Sequence, residues 1–156
     1  MANKTKKMIF SALFASLACV LTMFPKVPAG PGYVNLGDSV VLLSGWMLGP
    51  LYGFFASAVG TAMADVFSGY AIYAPATFVI KGLMAIAAYG LSKKTRPVFG
   101  ALVAEVIMIS GYYVYEGFLY GFGPSLLNIP ANAVQGAASI VVGLLLLRVF
   151  KKGNIL

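Results

Sequence analysis

Apolar residues run through the chain in six stretches separated by Gly and Pro, 8–24, 37–49, 51–69, 75–92, 97–119 and 129–149. A membrane-crossing helix needs ~20 mostly apolar residues. The pattern therefore predicts six transmembrane helices, the second of them short for a span. Gly and Pro punctuate the stretches: Gly49 then Pro50, Gly69 ahead of Pro75, Arg96 then Pro97, and Gly123 with Pro124 and Pro130 before the last. Proline suits a first helical turn, where its missing N–H would have no partner anyway. The expected architecture is all-α, an integral membrane bundle filling 1–156 as a single transmembrane domain, and six crossings put both termini on one side.

Composition agrees with lipid as the solvent: 60% of residues are hydrophobic and only 10% charged, with a mean hydropathy of +0.90. A net charge of +7 would ordinarily raise nucleic acid as a partner. Here the cations instead cluster at the ends of apolar stretches: Lys4, Lys6 and Lys7; Lys93, Lys94 and Arg96; Arg148, Lys151 and Lys152. Those three clusters share one side of a six-helix topology and the opposite loops carry only Lys26, so both termini are cytoplasmic by the positive-inside rule and nucleic acid is not expected. The Lys-rich start followed by an apolar run resembles a signal peptide, yet no small-residue cleavage site precedes a polar mature domain, and a retained first helix is expected. One cysteine, Cys19, and no histidine leave neither a disulfide framework nor a Cys/His metal site.

Ionisable side chains inside a bilayer cost roughly 2.5–3.5 kcal/mol each on insertion scales, so each needs a partner, water or a function. Asp38, Asp65, Lys81, Glu105 and Glu116 are the candidates. At about 1.5 Å per residue, Asp65 and Lys81 fall in the outer halves of adjacent helices. They are expected to pair across that hairpin, either as a structural link or as a grip on a ligand. Glu116 follows Tyr112, Tyr113 and Tyr115 and borders an aromatic surface, which favours a pocket role. Glu105 lies deeper and reads equally as a buried structural carboxylate. Asp38, at the mouth of the second helix, reads best as a helix cap, and Asn128 as another. Asn132 and Gln135 are three apart and share a helix face, where their amides suit a neutral heterocycle or an interhelical hydrogen bond. With Tyr73 and the other outer tyrosines they compose the mixture of aromatic surface and few polar groups typical of a small-molecule pocket. The substrate-binding set expected from the sequence is thus Asp65, Tyr73, Lys81, Tyr112, Tyr113, Glu116, Asn132 and Gln135.

Small residues form stripes on two helices. Ser11, Ala15 and Cys19, with Ala12 and Ser16 beside them, mark the first, and Ala56, Gly60 and Ala64 the third; such stripes let helices approach closely. The chain shows no P-loop, no internal repeat of the kind many secondary transporters carry, no paired nucleophile and base, and no metal-binding set. An enzyme is not expected, and a capture protein of this make would borrow its energy from partners.

The stretches Asn35-Leu36-Gly37-Asp38-Ser39, Ala64-Asp65 through Gly69-Tyr70 and Tyr73 through Lys81-Gly82, and Gly111-Tyr112-Tyr113 through Glu116 make the chain similar, over its whole length, to the S components of energy-coupling-factor (ECF) vitamin importers. The resemblance is to the subgroup for riboflavin, pyridoxine-like or hydroxymethylpyrimidine substrates. It implies a six-helix multi-pass protein of the bacterial cell membrane that binds a vitamin at its outer side and bears no cofactor. It also implies a membrane scaffold subunit and two cytoplasmic ATPases that use ATP. Small residues on the first helix, here Ser11, Ala15 and Cys19, would contact the scaffold, although they depart from a strict alanine pattern. Two other classes remain open on the residues alone: an autonomous carrier using Asp65, Glu105 or Glu116 as a coupling-ion site, and a structural or channel-forming membrane protein.

Overall fold

The computed structural model describes residues 2–29 and 32–153. Seven helices and one small hairpin follow in the order α1 (Ala2–Met23), β1 (Val27–Ala29), β2 (Gly32–Val34), α2 (Gly37–Leu48), α3 (Pro50–Phe67), α4 (Ala74–Ser92), α5 (Pro97–Tyr120), α6 (Phe122–Ser125) and α7 (Ile129–Lys152). Six of these are the expected helices, and among the described residues the elements are all helical apart from the hairpin. The segment between α1 and α2, read as loop, pairs β1 with β2 antiparallel, Val27 opposite Val34. The segment between α5 and α7 contains the one-turn α6 and a 3₁₀ turn, Leu126–Asn128. Pro50, Pro75, Pro97 and Pro130 all lie in first helical turns, where a missing N–H leaves no hydrogen bond broken.

Four segments are long and apolar enough to cross a bilayer: Lys4–Met23, Ala74–Ser92, Pro97–Tyr120 and Phe122–Lys152. α2 is different. Its 12 residues span about 18 Å at 1.5 Å per residue, well short of a hydrocarbon core of about 30 Å. Ten of those residues are buried, because α2 is the axis of the bundle and packs on α1, α3, α4 and α7. One side of it, with Val41 and Leu42, joins Met84, Ala88 and Met108 in one apolar cluster. The other, with Val40 and Leu43, joins Phe14, Ala56 and Leu147 in a second. The outer faces of the surrounding helices expose Leu13, Leu51, Val106, Val141 and Val149, the lipid-facing surface such a protein requires.

Two glycines set how closely neighbouring helices approach. A Cβ on Gly45 of α2 would sit 2.3 Å from the carbonyl oxygen of Ala85 in α4, and one on Gly60 of α3 would sit 2.2 Å from that of Ala15 in α1. The second contact answers the question of the small-residue stripes, because those of α1 and α3 meet each other. Ser11 also donates its hydroxyl to the carbonyl of Tyr52, at 3.0 Å. Ser11 and Ala15, expected against a scaffold subunit, are therefore turned inward onto α3. Cys19 is half-buried, with its Sγ 3.9 Å from Met23 Sδ. Beside them on α1, Ala12 and Ser16 are exposed.

Candidate functional site

α1, α3 and α5 end, and α2, α4 and α7 begin, at the end of the bundle opposite both termini. This is the outer end, since the three basic clusters lie at the other. There these helices enclose a cavity of about 60 Å³. Thr22 comes from the last turn of α1, Val34 and Asn35 from the hairpin and its exit, Asp65 from α3, and Tyr70 and Tyr73 from the turn before α4. Thr77 and Lys81 come from α4, Tyr112 and Glu116 from α5, and Asn128, Ala131, Asn132 and Gln135 from the start of α7. A 12-residue α2 that starts below the outer surface contributes no side chain to the wall but supplies its anchor, Asp38.

Asp38 is fully buried, and its carboxylate takes an ion pair from Lys81 on one oxygen and a 2.6 Å hydrogen bond from Gln135 Nε2 on the other. This corrects two expectations. Lys81 pairs with Asp38 rather than Asp65, because α2 packs against α4 and brings its first turn to Lys81. Asp38 is no cap, because Leu36 holds the N-cap position without a side-chain bond; the nearest thing to a cap is Asn35, whose Oδ1 accepts the N–H of Gly37 at 2.8 Å. Gln135 extends the chain of contacts by accepting on Oε1 from the Asn35 backbone N–H, at 3.0 Å, and from its side-chain amide, at 3.4 Å. Both ends of the Gln135 amide are thus engaged by the protein.

A second network faces it. Glu116 accepts the Tyr73 hydroxyl on Oε1 at 3.3 Å and the Asn128 Nδ2 on Oε2 at 2.8 Å. Tyr112 lies between the two: its hydroxyl is 2.9 Å from Thr77 Oγ1, its ring centroid is 6.4 Å from that of Tyr73, and Lys81 Nζ lies 5.2 Å from its own ring centroid. That distance is within the ~6 Å reach of a cation–π attraction, so Lys81 is held by a carboxylate and an aromatic face together.

The cavity gathers seven of the eight residues expected there: Asp65, Tyr73, Lys81, Tyr112, Glu116, Asn132 and Gln135. Tyr113 is turned away, its ring 5.7 Å from Phe122, beside a shallow apolar groove with Val106, Ile109 and Ile129. The reason is periodicity, since adjacent residues on one helix point about 100° apart and Tyr112 already faces inward. Glu105 is buried outside the wall, with Gly136 of α7 passing over it: a Cβ there would lie 3.0 Å from Glu105 Oε2. Thr22, Asn35, Thr77 and Asn128 line the cavity without having been singled out for it, and Tyr70 is one of the outer tyrosines expected around it. Asn128, expected as a cap, makes no side-chain cap bond and gives its amide to Glu116 instead.

A bundle of apolar helices holding one preformed polar and aromatic cavity at its outer end defines a membrane-embedded small-molecule capture protein. The comparisons with known proteins narrow this. The profile of the family described as "ECF-type riboflavin transporter, S component" matches residues 2–152. A relative from Pyrococcus woesei, described as an uncharacterized protein, is 36% identical over 130 residues, covering 80% of this chain and 87% of its own. The thiamine precursor transporter HmpT of Lactococcus lactis subsp. cremoris is 26% identical over 154 residues, covering 96% of this chain and 88% of its own. The solved S component of a bacterial ECF transporter superposes with a TM-score of 0.80 at 24% identity, over 97% of this chain and 98% of that one, and so shares its fold. The chain belongs to the S-component family of ECF-type riboflavin transporters. It is a multi-pass membrane protein and the substrate-binding, non-enzymatic component of a transporter for a vitamin or vitamin precursor.

Proposed function

We propose that the outer cavity is the vitamin site and that its cargo is a single-ring heteroaromatic precursor, of the hydroxymethylpyrimidine or pyridoxine kind, rather than three-ring riboflavin. The observation that carries this reading is the size of the cavity together with its polar walls. At roughly 10–15 Å³ per water, about 60 Å³ holds a handful of waters or one small ring, which favours the smaller cargo. The name of the Lactococcus lactis relative supports the same substrate class. A flat ring stacks on Tyr112, takes a hydrogen bond from the Lys81 ammonium, which has three donors and spends one on Asp38, and meets Asn132 at the start of α7. Gln135 and Asp38 act from behind by fixing Lys81.

The chain itself holds no cofactor in this reading. A scaffold subunit and two cytoplasmic ATPases supply the energy by using ATP. The scaffold contacts α1 on its exposed face, Ala12 and Ser16, because Ser11 and Ala15 are taken up by α3. Replacing Ala12 and Ser16 with Leu should abolish co-purification with the scaffold while leaving ligand affinity unchanged; Ser11→Ala, which keeps the residue small, should leave assembly intact. Retained assembly in the double variant would return the contact to another face.

Calorimetric titration of the purified protein with hydroxymethylpyrimidine, pyridoxine and riboflavin tests the substrate. One of the first two is expected to bind at least tenfold tighter than riboflavin. Tighter riboflavin binding discards the single-ring reading, and binding of none of the three discards the cavity as a vitamin site. Asn132→Ala and Glu116→Ala should each weaken the preferred ligand roughly tenfold or more, since a buried hydrogen bond lost on one side costs about 1–3 kcal/mol.

A further inference from the structure

Asn128 is buried, with 4% of its surface exposed, and lines the cavity. Its side-chain oxygen has no hydrogen-bond partner among the described residues. The amide cannot be turned over to relieve this. Its nitrogen donates to Glu116 Oε2 at 2.8 Å, and that carboxylate oxygen is the acceptor of the pair. With the Tyr73 hydroxyl donating to the other Glu116 oxygen, the carboxylate is served from both sides as an acceptor. Turning the Asn128 amide would set oxygen against oxygen.

The backbone reinforces this placement. Gly121 has φ +93, a left-handed value open to glycine, and it breaks α5 so that α6 can fold back. The Ser125 hydroxyl donates to the Gly121 carbonyl at 2.8 Å and holds that turn. Asn128, three residues on, is thereby returned 12 positions later in the chain to the side of Glu116. Thr22 Oγ1 is also a buried cavity-wall atom without a partner among the described residues, but a hydroxyl rotates to donate or accept and so discriminates little.

We propose that Glu116 locks the Asn128 amide with its oxygen toward the cavity, and that this oxygen selects ligands presenting an N–H or O–H donor there. Asn128 is the specificity-determining residue and Glu116 its positioning residue. The cavity then has a polarity: Lys81 offers a donor at one wall, Asn128 an acceptor at the other. The ligand must carry an acceptor and a donor on opposite parts of one ring system, as an amino- or hydroxymethyl-substituted heterocycle does. An acceptor placed against Asn128 would leave two buried oxygens facing each other, which a site built for a donor rejects strongly.

This inference rests on the cavity being the ligand site, and the test separates the two. The probes are hydroxymethylpyrimidine, its analogue lacking the exocyclic amine, and its analogue lacking the hydroxyl, titrated into the full-length protein. In the unsubstituted protein one of the analogues should bind at least tenfold more weakly than the parent. In Glu116→Gln, whose amide can donate as well as accept, Asn128 is free to turn and that penalty should shrink to within about threefold, with the parent still bound. Asn128→Leu should erase the same penalty by removing the acceptor. A penalty that survives in both variants overturns the assignment while leaving the cavity as the binding site. If riboflavin proves to be the ligand, its imide N–H and the N-methylated derivative make the same comparison. No binding of any parent compound by the unsubstituted protein overturns the capture reading, and this inference with it.

Discussion

Lys81→Met is expected to cost about 3–5 kcal/mol of stability, because it leaves the Asp38 carboxylate buried without its counter-charge. Asp38 is fully buried and Lys81 nearly so, at 3% exposure, and the nearest compensation left would be the single Gln135 amide. The melting temperature in detergent should fall steeply. The double variant Asp38→Leu, Lys81→Met removes both charges and should recover most of that loss. It should fall short of full recovery by about 1 kcal/mol, the typical worth of one hydrogen bond, since Gln135 Nε2 loses its acceptor. A double variant no more stable than Lys81→Met would mean that Lys81 contributes by packing on Tyr112 and not by neutralising Asp38. Ligand binding should be lost in both variants, which separates the stability of the pair from its use.

The second large effect is expected from the smallest possible change, Gly45→Ala. The added Cβ meets Ala85 backbone atoms at 2.3, 3.0 and 3.1 Å, and backbone cannot swing aside as a side-chain tip can. α2 must move off α4, opening the apolar cluster around Val41 and Met84 and pulling Asp38 away from Lys81. Overpacking a tight core costs about 1–3 kcal/mol, and loss of the ion-pair geometry adds to it, so little folded protein should survive extraction. Gly90→Ala is the control on α4. Nothing lies within 4 Å of its added Cβ, and exchange of a helical glycine for alanine should be neutral or gain up to about 1 kcal/mol. Equal yields and melting temperatures for the two variants would show that the α2–α4 crossing is looser than the glycine contact implies.

Much of the bundle was legible because its signals are local. Twenty apolar residues between Gly and Pro must be a helix in lipid, and cation clusters at three of its ends orient it; the helix limits differ by a few residues, as at Lys152 for α7. The hairpin Val27–Ala29 with Gly32–Val34 left no trace of this kind, since three-residue strands are too short for alternation to register. The pocket was legible as a set, because intramembrane Lys, Glu, Asn and Gln side chains are expensive enough to need a joint purpose. Its wiring was not. The partner expected for Lys81, Asp65, lies on the preceding helix in sequence, whereas the short, apolar α2 is the axis of the bundle and touches α1, α3, α4 and α7 at once. Which carboxylate meets Lys81 is a property of that packing, and no spacing along the chain encodes it. The inward turn of Ser11 and Ala15 has the same origin: a small-residue stripe says that something approaches closely, without saying whether the neighbour is a partner subunit or the protein's own α3.

The Lys81–Asp38–Gln135–Asn35 chain of polar contacts ties α4, α2 and α7 to the exit of the hairpin before any ligand arrives. Side chains that are already fixed have little rotamer freedom left to surrender, and ordering a long side chain otherwise costs about 0.5–1.5 kcal/mol each on association. The site is preorganised, so tight binding can be reached with a ligand of only one ring and few contacts. That is the property demanded of a scavenger working on a nutrient present in traces. Its expected kinetic signature is a long residence time, with dissociation rather than encounter setting the affinity.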